Sequence, residues 1–132
     1  ATLRLVFQNF LLVLAMTEKM ALAFDNEQIH RAIEAIMAYY AVAVCGIVVE
    51  RGEELDILVC HGMDIADAQQ SKMLHDDLHR PIPTIVEDAS RDVRFKNDPL
   101  VLAPHELKFC VRAPLFREGD RIGSLFLLDR KL

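Results

Sequence analysis

Residues 42–50 read VAVCGIVVE, an unbroken apolar run rich in β-branched side chains, and no other segment restricts the fold as strongly. Val and Ile lose rotamer freedom in a helix and pack well on a pleated surface. A strand with one wet face would alternate apolar and polar residues; this one does not, so it must be covered on both faces. Arg51-Gly52-Glu53 reads as a turn, and residues 55–61 (LDILVCH) return as the second strand of a hairpin. The rest of the chain therefore has to supply two covering layers.

The first layer comes from the N-terminal side. Leu3, Phe7, Phe10, Leu14, Thr17, Ala21 and Phe24 step by four and three, the seam of a long helix over residues 3–24 that pairs with another helix. Phe10 to Met16 is apolar throughout but far short of the roughly twenty residues of a membrane span. Asp25 and Gln28 have capping-box spacing, and a second helix is expected to about Tyr39, facing inward with Ile29, Ile33, Ile36, Met37 and Tyr40. The seam is read as a parallel homodimer contact, against the simpler reading in which residues 29–40 supply the partner helix within one chain.

The second layer has to come from residues 62–107. Gly62 ends the hairpin. Residues 64–80 read as one short helix with Ile65, Ala68, Met73 and Leu78 inward, stopped by Pro81 and Pro83. A strand is expected over 84–87, and 88–107 reads as a structured loop with one or two short helices. Residues 108–113 and 121–129 close the sheet as two more strands, with Pro114 ending ladder pairing and Glu118-Gly119-Asp120 turning the chain. The fold class is α+β: an antiparallel sheet of five or six strands, helices on one face, loops and short helices on the other. All 132 residues fit a single domain, with residues 1–24 as its dimerisation and signalling helix. A structured crossover of this length is more often functional than idle.

Composition narrows the function. The net charge of −5 disfavours a sequence-independent grip on nucleic acid or on an anionic membrane. Cys45, Cys60 and Cys110 are odd in number and sit in apolar runs, as reduced buried thiols of a cytoplasmic protein would. The chain starts at Ala1 and stops just after a strand-like run, as a domain of a longer polypeptide would.

Five stretches in order carry a family pattern. They are Cys60-His61-Gly62-Met63, then residues 85–95 (IVEDASRDVRF), Asn97-Asp98-Pro99-Leu100-Val101, residues 109–115 (FCVRAPL), and Gly119 followed by residues 122–129 (IGSLFLLD). In order and spacing the sequence resembles GAF domains over essentially its whole length. The resemblance implies a sensory domain that regulates an attached effector and binds a small molecule between the sheet and its loop cover. Asp88 would bond backbone N–H groups of the turn after it, and Arg94 would pair with Asp88 or Asp92.

The chemistry-bearing branches of that family are poorly matched. The cyclic-nucleotide signature is absent in order and spacing. Cys60-His61 ends a strand and lacks the context of a pigment attachment site. His75, His79 and His105 lie in the cover, but a lone histidine there is more often hydrogen-bonded than a haem ligand. His75 and His79, with Asp76, share one helical face, yet no third zinc ligand is predictable. A free methionine sulfoxide reductase built on this fold needs paired reactive cysteines in loops, whereas these three lie in strands.

The function expected is therefore regulatory rather than enzymatic. A small molecule would bind under residues 62–107 and alter how N-terminal helices pair in a homodimer, which acts on a covalently linked effector. The candidate ligand contacts are His61, Met63, Met73, Phe95, Leu100, Leu107, Cys110, Arg112 and Phe126. Arg112 is the choice for an anionic ligand, set against an ordinary surface-strand arginine. The sequence does not identify a cofactor. The alternative is a degenerate domain whose pocket is filled by its own Phe and Met side chains and which only dimerises. A reductase is the weakest of the three readings.

Overall fold

The computed structural model describes residues 26–51, 54–75 and 84–130. Helix α1 (Asn26–Tyr40) leads into the hairpin of β1 (Val44–Arg51) and β2 (Glu54–His61). Two short helices follow, α2 (Ile65–Gln69) and α3 (Lys72–His75), then β3 (Thr84–Val86) and a 3₁₀ turn, Ala89–Arg91. Strands β4 (Phe109–Arg117) and β5 (Asp120–Asp129) form the closing hairpin. The sheet order is β2-β1-β5-β4-β3, and every neighbouring pair is antiparallel.

The expected two-layer cover is present. Cys45, Ile47, Val59, Val111, Ala113, Leu115, Leu125 and Leu127 face Ile33 and Ile36 of α1 on one side of the sheet. Val44, Val48, Cys110, Phe126 and Leu128 alternate with them and face Ala68, Met73, Leu74, Phe95, Leu100 and Leu107 on the other. Because β1 and β5 are sandwiched, neither alternates in polarity, which is why residues 42–50 are apolar throughout. Close approach between strands needs glycine at two points. A side chain on Gly46 would lie 2.4 Å from both the Val59 carbonyl oxygen and the Phe126 ring, and one on Gly123 would lie 2.0 Å from the Val48 carbonyl oxygen.

Three expectations need correction. Residues 64–80 do not form one helix. Chain direction changes at Ser71, whose Oγ accepts from the Leu74 N–H at 3.3 Å and so caps α3. Ile65, read as inward, is 47% exposed at the start of α2. Pro114 does not end the ladder: it pairs with Ser124 and β4 runs on to Arg117. The β3 pairing stops at Thr84 opposite Arg112, so among the described residues Pro114 lies where β4 is paired on one side only. The helix of residues 3–24, the Asp25 cap, Leu78, His79, Asp76, Pro81 and Pro83 lie outside the described residues.

Among the described residues no helix is long and apolar enough to cross a membrane.

Candidate functional site

The covering segment, here called the lid, is held together by polar groups that the apolar pattern hides. Asp98, buried at 5% exposure, accepts from Ser71 Oγ at 3.1 Å and the Met73 N–H at 2.9 Å through Oδ2. Its Oδ1 accepts from the Leu100 N–H at 3.0 Å. One carboxylate therefore ties α3 to the loop of residues 98–101. Gln69 fastens α2 to the edge strand, accepting from the Ile57 N–H at 3.0 Å and donating to the Leu55 carbonyl. Asp88 accepts from the Ser90 N–H at 3.1 Å, the turn-bonding role expected of it. Arg94 pairs with Asp92 at 2.8 Å and lies over the Phe95 ring, 4.6 Å from its centroid. Hydrogen bonds from Ser90 hold the Asp88 carboxyl below the usual carboxylate range, and those from Arg94 do the same for Asp92.

Under this lid the sheet presents three rows of side chains, read across the strands. Val44, Leu128, Cys110 and Val86 make an apolar row. Cys60, Gly46, Phe126, Arg112 and Thr84 make the middle row across all five strands, and Ile57, Val48, Ser124 and Pro114 the third. Beyond the third row, Arg121 donates through Nη2 to Ser124 Oγ at 3.1 Å, with its Nε 3.8 Å from Glu50 Oε1. The lid face thus changes from hydrocarbon at the Val44 end to two arginines, a buried serine and a glutamate at the other. Glu50 Oε1 is buried and accepts no hydrogen bond among the described residues.

The sequence-derived candidates divide accordingly. Met73, Phe95, Leu100, Leu107, Cys110 and Phe126 fall in one buried cluster, with Met63 packed against it. Arg112 lies on the same side, flanked by the inward-alternating Val111 and Ala113, and only 5% of it is exposed. It is not a surface-strand arginine. His61 does not join them. With Val59 toward the helix and Cys60 toward the lid, the two-residue period turns His61 to α1, where it meets His30. The polar residues Asp98, Ser71, Ser124, Arg121 and Glu50 were not among the candidates. Ser124 stands two residues along β5 from Phe126, the register partner of Arg112, and alternation along β5 could have revealed it on the lid face.

Burial disfavours the thiolate form of the cysteines here. It pushes Cys60 up to about 11 and Cys110 up to about 12, with Arg112 opposing the rise at Cys110; Cys45 rises further still. All three cysteines are free. His75 Nδ1 contacts the Ser71 carbonyl, and His105 Nε2 lies 3.3 Å from Asp67 Oδ2, so both have partners within the lid. The described residues hold no cluster of three or more metal-ligating side chains.

A five-stranded antiparallel sheet covered by α1 on one face and by a polar-stapled lid on the other is an α+β architecture shared with solved structures. The chain has the GAF-like fold, and its structural neighbours say so directly. A GAF domain of an Aquifex aeolicus NLH2 protein matches with a TM-score of 0.64 at 16% identity, over 90% of this chain and 78% of that one. A sensor histidine kinase domain from Sinorhizobium meliloti matches with a TM-score of 0.64 at 16% identity, over 83% and 77%. The type II free methionine-R-sulfoxide reductase of Thermoplasma acidophilum shares the fold as well, with a TM-score of 0.63 at 12% identity over 80% and 74%. No protein-family model matches the sequence, and no curated protein matches it.

Proposed function

We propose that this chain is the sensory module of a signalling protein, without catalysis of its own, and that it binds a small anionic molecule beneath its lid at the Arg112 end. The observation that carries this reading is the burial of Arg112 on the lid face, one register step from Ser124. A guanidinium keeps its charge at any ordinary pH and presents a planar fork of donors suited to a carboxylate or another oxyanion. Arg121 and Ser124 extend that donor surface. The apolar rows beside it would take the body of the molecule, with Met73, Phe95 and Phe126 shaping its end. Binding would act through the lid and the sheet on α1, on the helix of residues 3–24 and on the homodimer they form, and so on a linked effector. The linked effector is supported by the sensor-kinase neighbour. A ligand can bias such an assembly only by binding its two arrangements unequally.

A second reading has its own support. Phe95, Met73, Leu100 and Phe126 are 0–2% exposed, the burial expected if the protein's own side chains take the place of a ligand. On that reading the domain binds nothing and serves only to dimerise. The reductase reading is opposed by the upward push on all three thiols, since a thiolate nucleophile needs the opposite.

Thermal melts against amino acids, nucleotides, oxo-acids and haem separate the readings. A binder raises stability by about 2.7 kcal/mol at a hundredfold excess over its Kd. The sensory reading expects such a rise with an anionic member of the panel, and its loss in Arg112→Met. No rise with any member favours the dimerisation module.

A further inference from the structure

On the face opposite the lid, His61 is the last residue of β2 and meets two side chains of α1. His30 Nδ1 and His61 Nε2 are 2.6 Å apart, with ring centroids at 4.9 Å. His61 Nδ1, its other ring nitrogen, lies 3.8 Å from Glu34 Oε1. His30 and Glu34 are four apart and share one face of α1. Carboxylate, imidazole and imidazole therefore stand in line, the two groups of α1 addressing opposite edges of the His61 ring. A single metal ion cannot bond both edges, so the arrangement suits protons and not a cation.

We propose that Glu34, His61 and His30 form a proton-sensitive latch between α1 and the sheet, closed while one proton lies between the imidazoles and opened when both rings become charged. A neutral imidazole has one donor and one acceptor nitrogen, so an N–H···N contact needs a proton on one ring and a lone pair on the other. A first added proton goes to the outer nitrogen of whichever ring donates, His61 Nδ1 facing Glu34 or His30 Nε2, and leaves that contact intact. A second removes the remaining lone pair and sets two cations side by side.

The surroundings leave the decision to these three groups. From α1, Glu27 and Arg31 are paired with each other at 2.6 Å on the neighbouring stripe. From β1, Cys45 stands opposite His61 in register, and burial holds its thiol in the neutral form. Past the end of β2, the nearest described acid is Asp64, whose charge acts on Cys60. His30 is exposed and His61 partly so, which gives protons access.

The position of His61 makes the latch consequential. The next residue, Gly62, has φ +95°, and a side chain there would lie 2.1 Å from the Ala43 carbonyl oxygen. Met63, one further on, packs into the core under the lid. A shift of His61 away from α1 thus passes into the first residues of the lid. The inference stands whether or not the lid takes a ligand.

The test is a pH titration of the whole 132-residue chain from 8 to 5, following side-chain nitrogens of histidine and backbone amides by NMR. At pH 8 the two rings should carry their protons on opposite sides of the contact, one donating and one accepting. As pH falls, amides of Gly62, Met63 and α1 around His30 should move together with histidine protonation. His30→Gln should abolish the movement at Gly62 and Met63 and leave His61 titrating in a single step. Glu34→Gln, a surface change that keeps side-chain size, should move the first protonation of His61 to lower pH. Independent titration of the two histidines, or the same Gly62 and Met63 response in wild type and both variants, would overturn the proposal.

Discussion

Ser71 Oγ donates to Oδ2 of Asp98 at 3.1 Å, joining two points of the lid that are 27 residues apart in sequence. The same carboxylate accepts the Met73 and Leu100 N–H groups. It thereby replaces regular secondary structure as the source of order in this layer: three buried donors from two segments converge on one side chain. Removing it leaves those donors without an acceptor in a place water does not freely reach.

Asp98→Ala should therefore destabilise the domain by about 3 kcal/mol, and Ser71→Ala by about 1–2 kcal/mol, since the serine forfeits two bonds, one to Asp98 and one from the Leu74 N–H, and the aspartate three. Urea denaturation followed by circular dichroism checks both. Equal losses for the two variants would show that Asp98 is not the centre of the network.

Gly123→Ala and Gly46→Ala should each cost about 1–3 kcal/mol by overpacking. At Gly123 the obstacle is the Val48 backbone oxygen, which cannot swing aside. At Gly46 part of the obstacle is the Phe126 ring. Phe126→Leu should accordingly recover some of the loss at Gly46 and none of it at Gly123, a comparison that thermal melts of the single and double variants would read.

The thiols offer a test of burial. With Cys60 pushed up to about 11, only about a thousandth of it is ionised at pH 8, and Cys110 at about 12 is lower still. A disulfide reagent at pH 8 should leave the native protein almost untouched and label all three cysteines in denaturant. Rapid labelling of one native thiol would reopen the reductase reading.

Much of the architecture was legible because it follows from periodicity. The unbroken run at 42–50 demanded cover on both faces, and Ile33 and Ile36 mark the helix that covers one of them. The lid was legible only as a segment. The α-helices among its described residues are five and four residues long, too short for a 3.6-residue period to express itself, and they meet at Ser71, which Asp98 holds. Asp98 precedes a proline in a polar stretch, the setting of an exposed turn residue, so nothing local announces a buried carboxylate. His61 was misplaced for a related reason. The end of β2 was known, but its phase is set by the irregularity in pairing opposite Ile47 and Val48, where Leu58 is the extra residue. Arg112 shows the converse: alternation with Cys110 assigns it to the lid face, while its burial depends on what packs above it.

The account stands on a small anion binding at Arg112 between sheet and lid, and amide NMR of the chain titrated with amino acids, nucleotides and oxo-acids at fixed ionic strength tests it most directly. Saturable movement of amides along residues 110–114 and 122–126, abolished by Arg112→Met, is the predicted result. A ligand that moves only the α1 face, or that binds Arg112→Met as well as it binds the wild type, would contradict it.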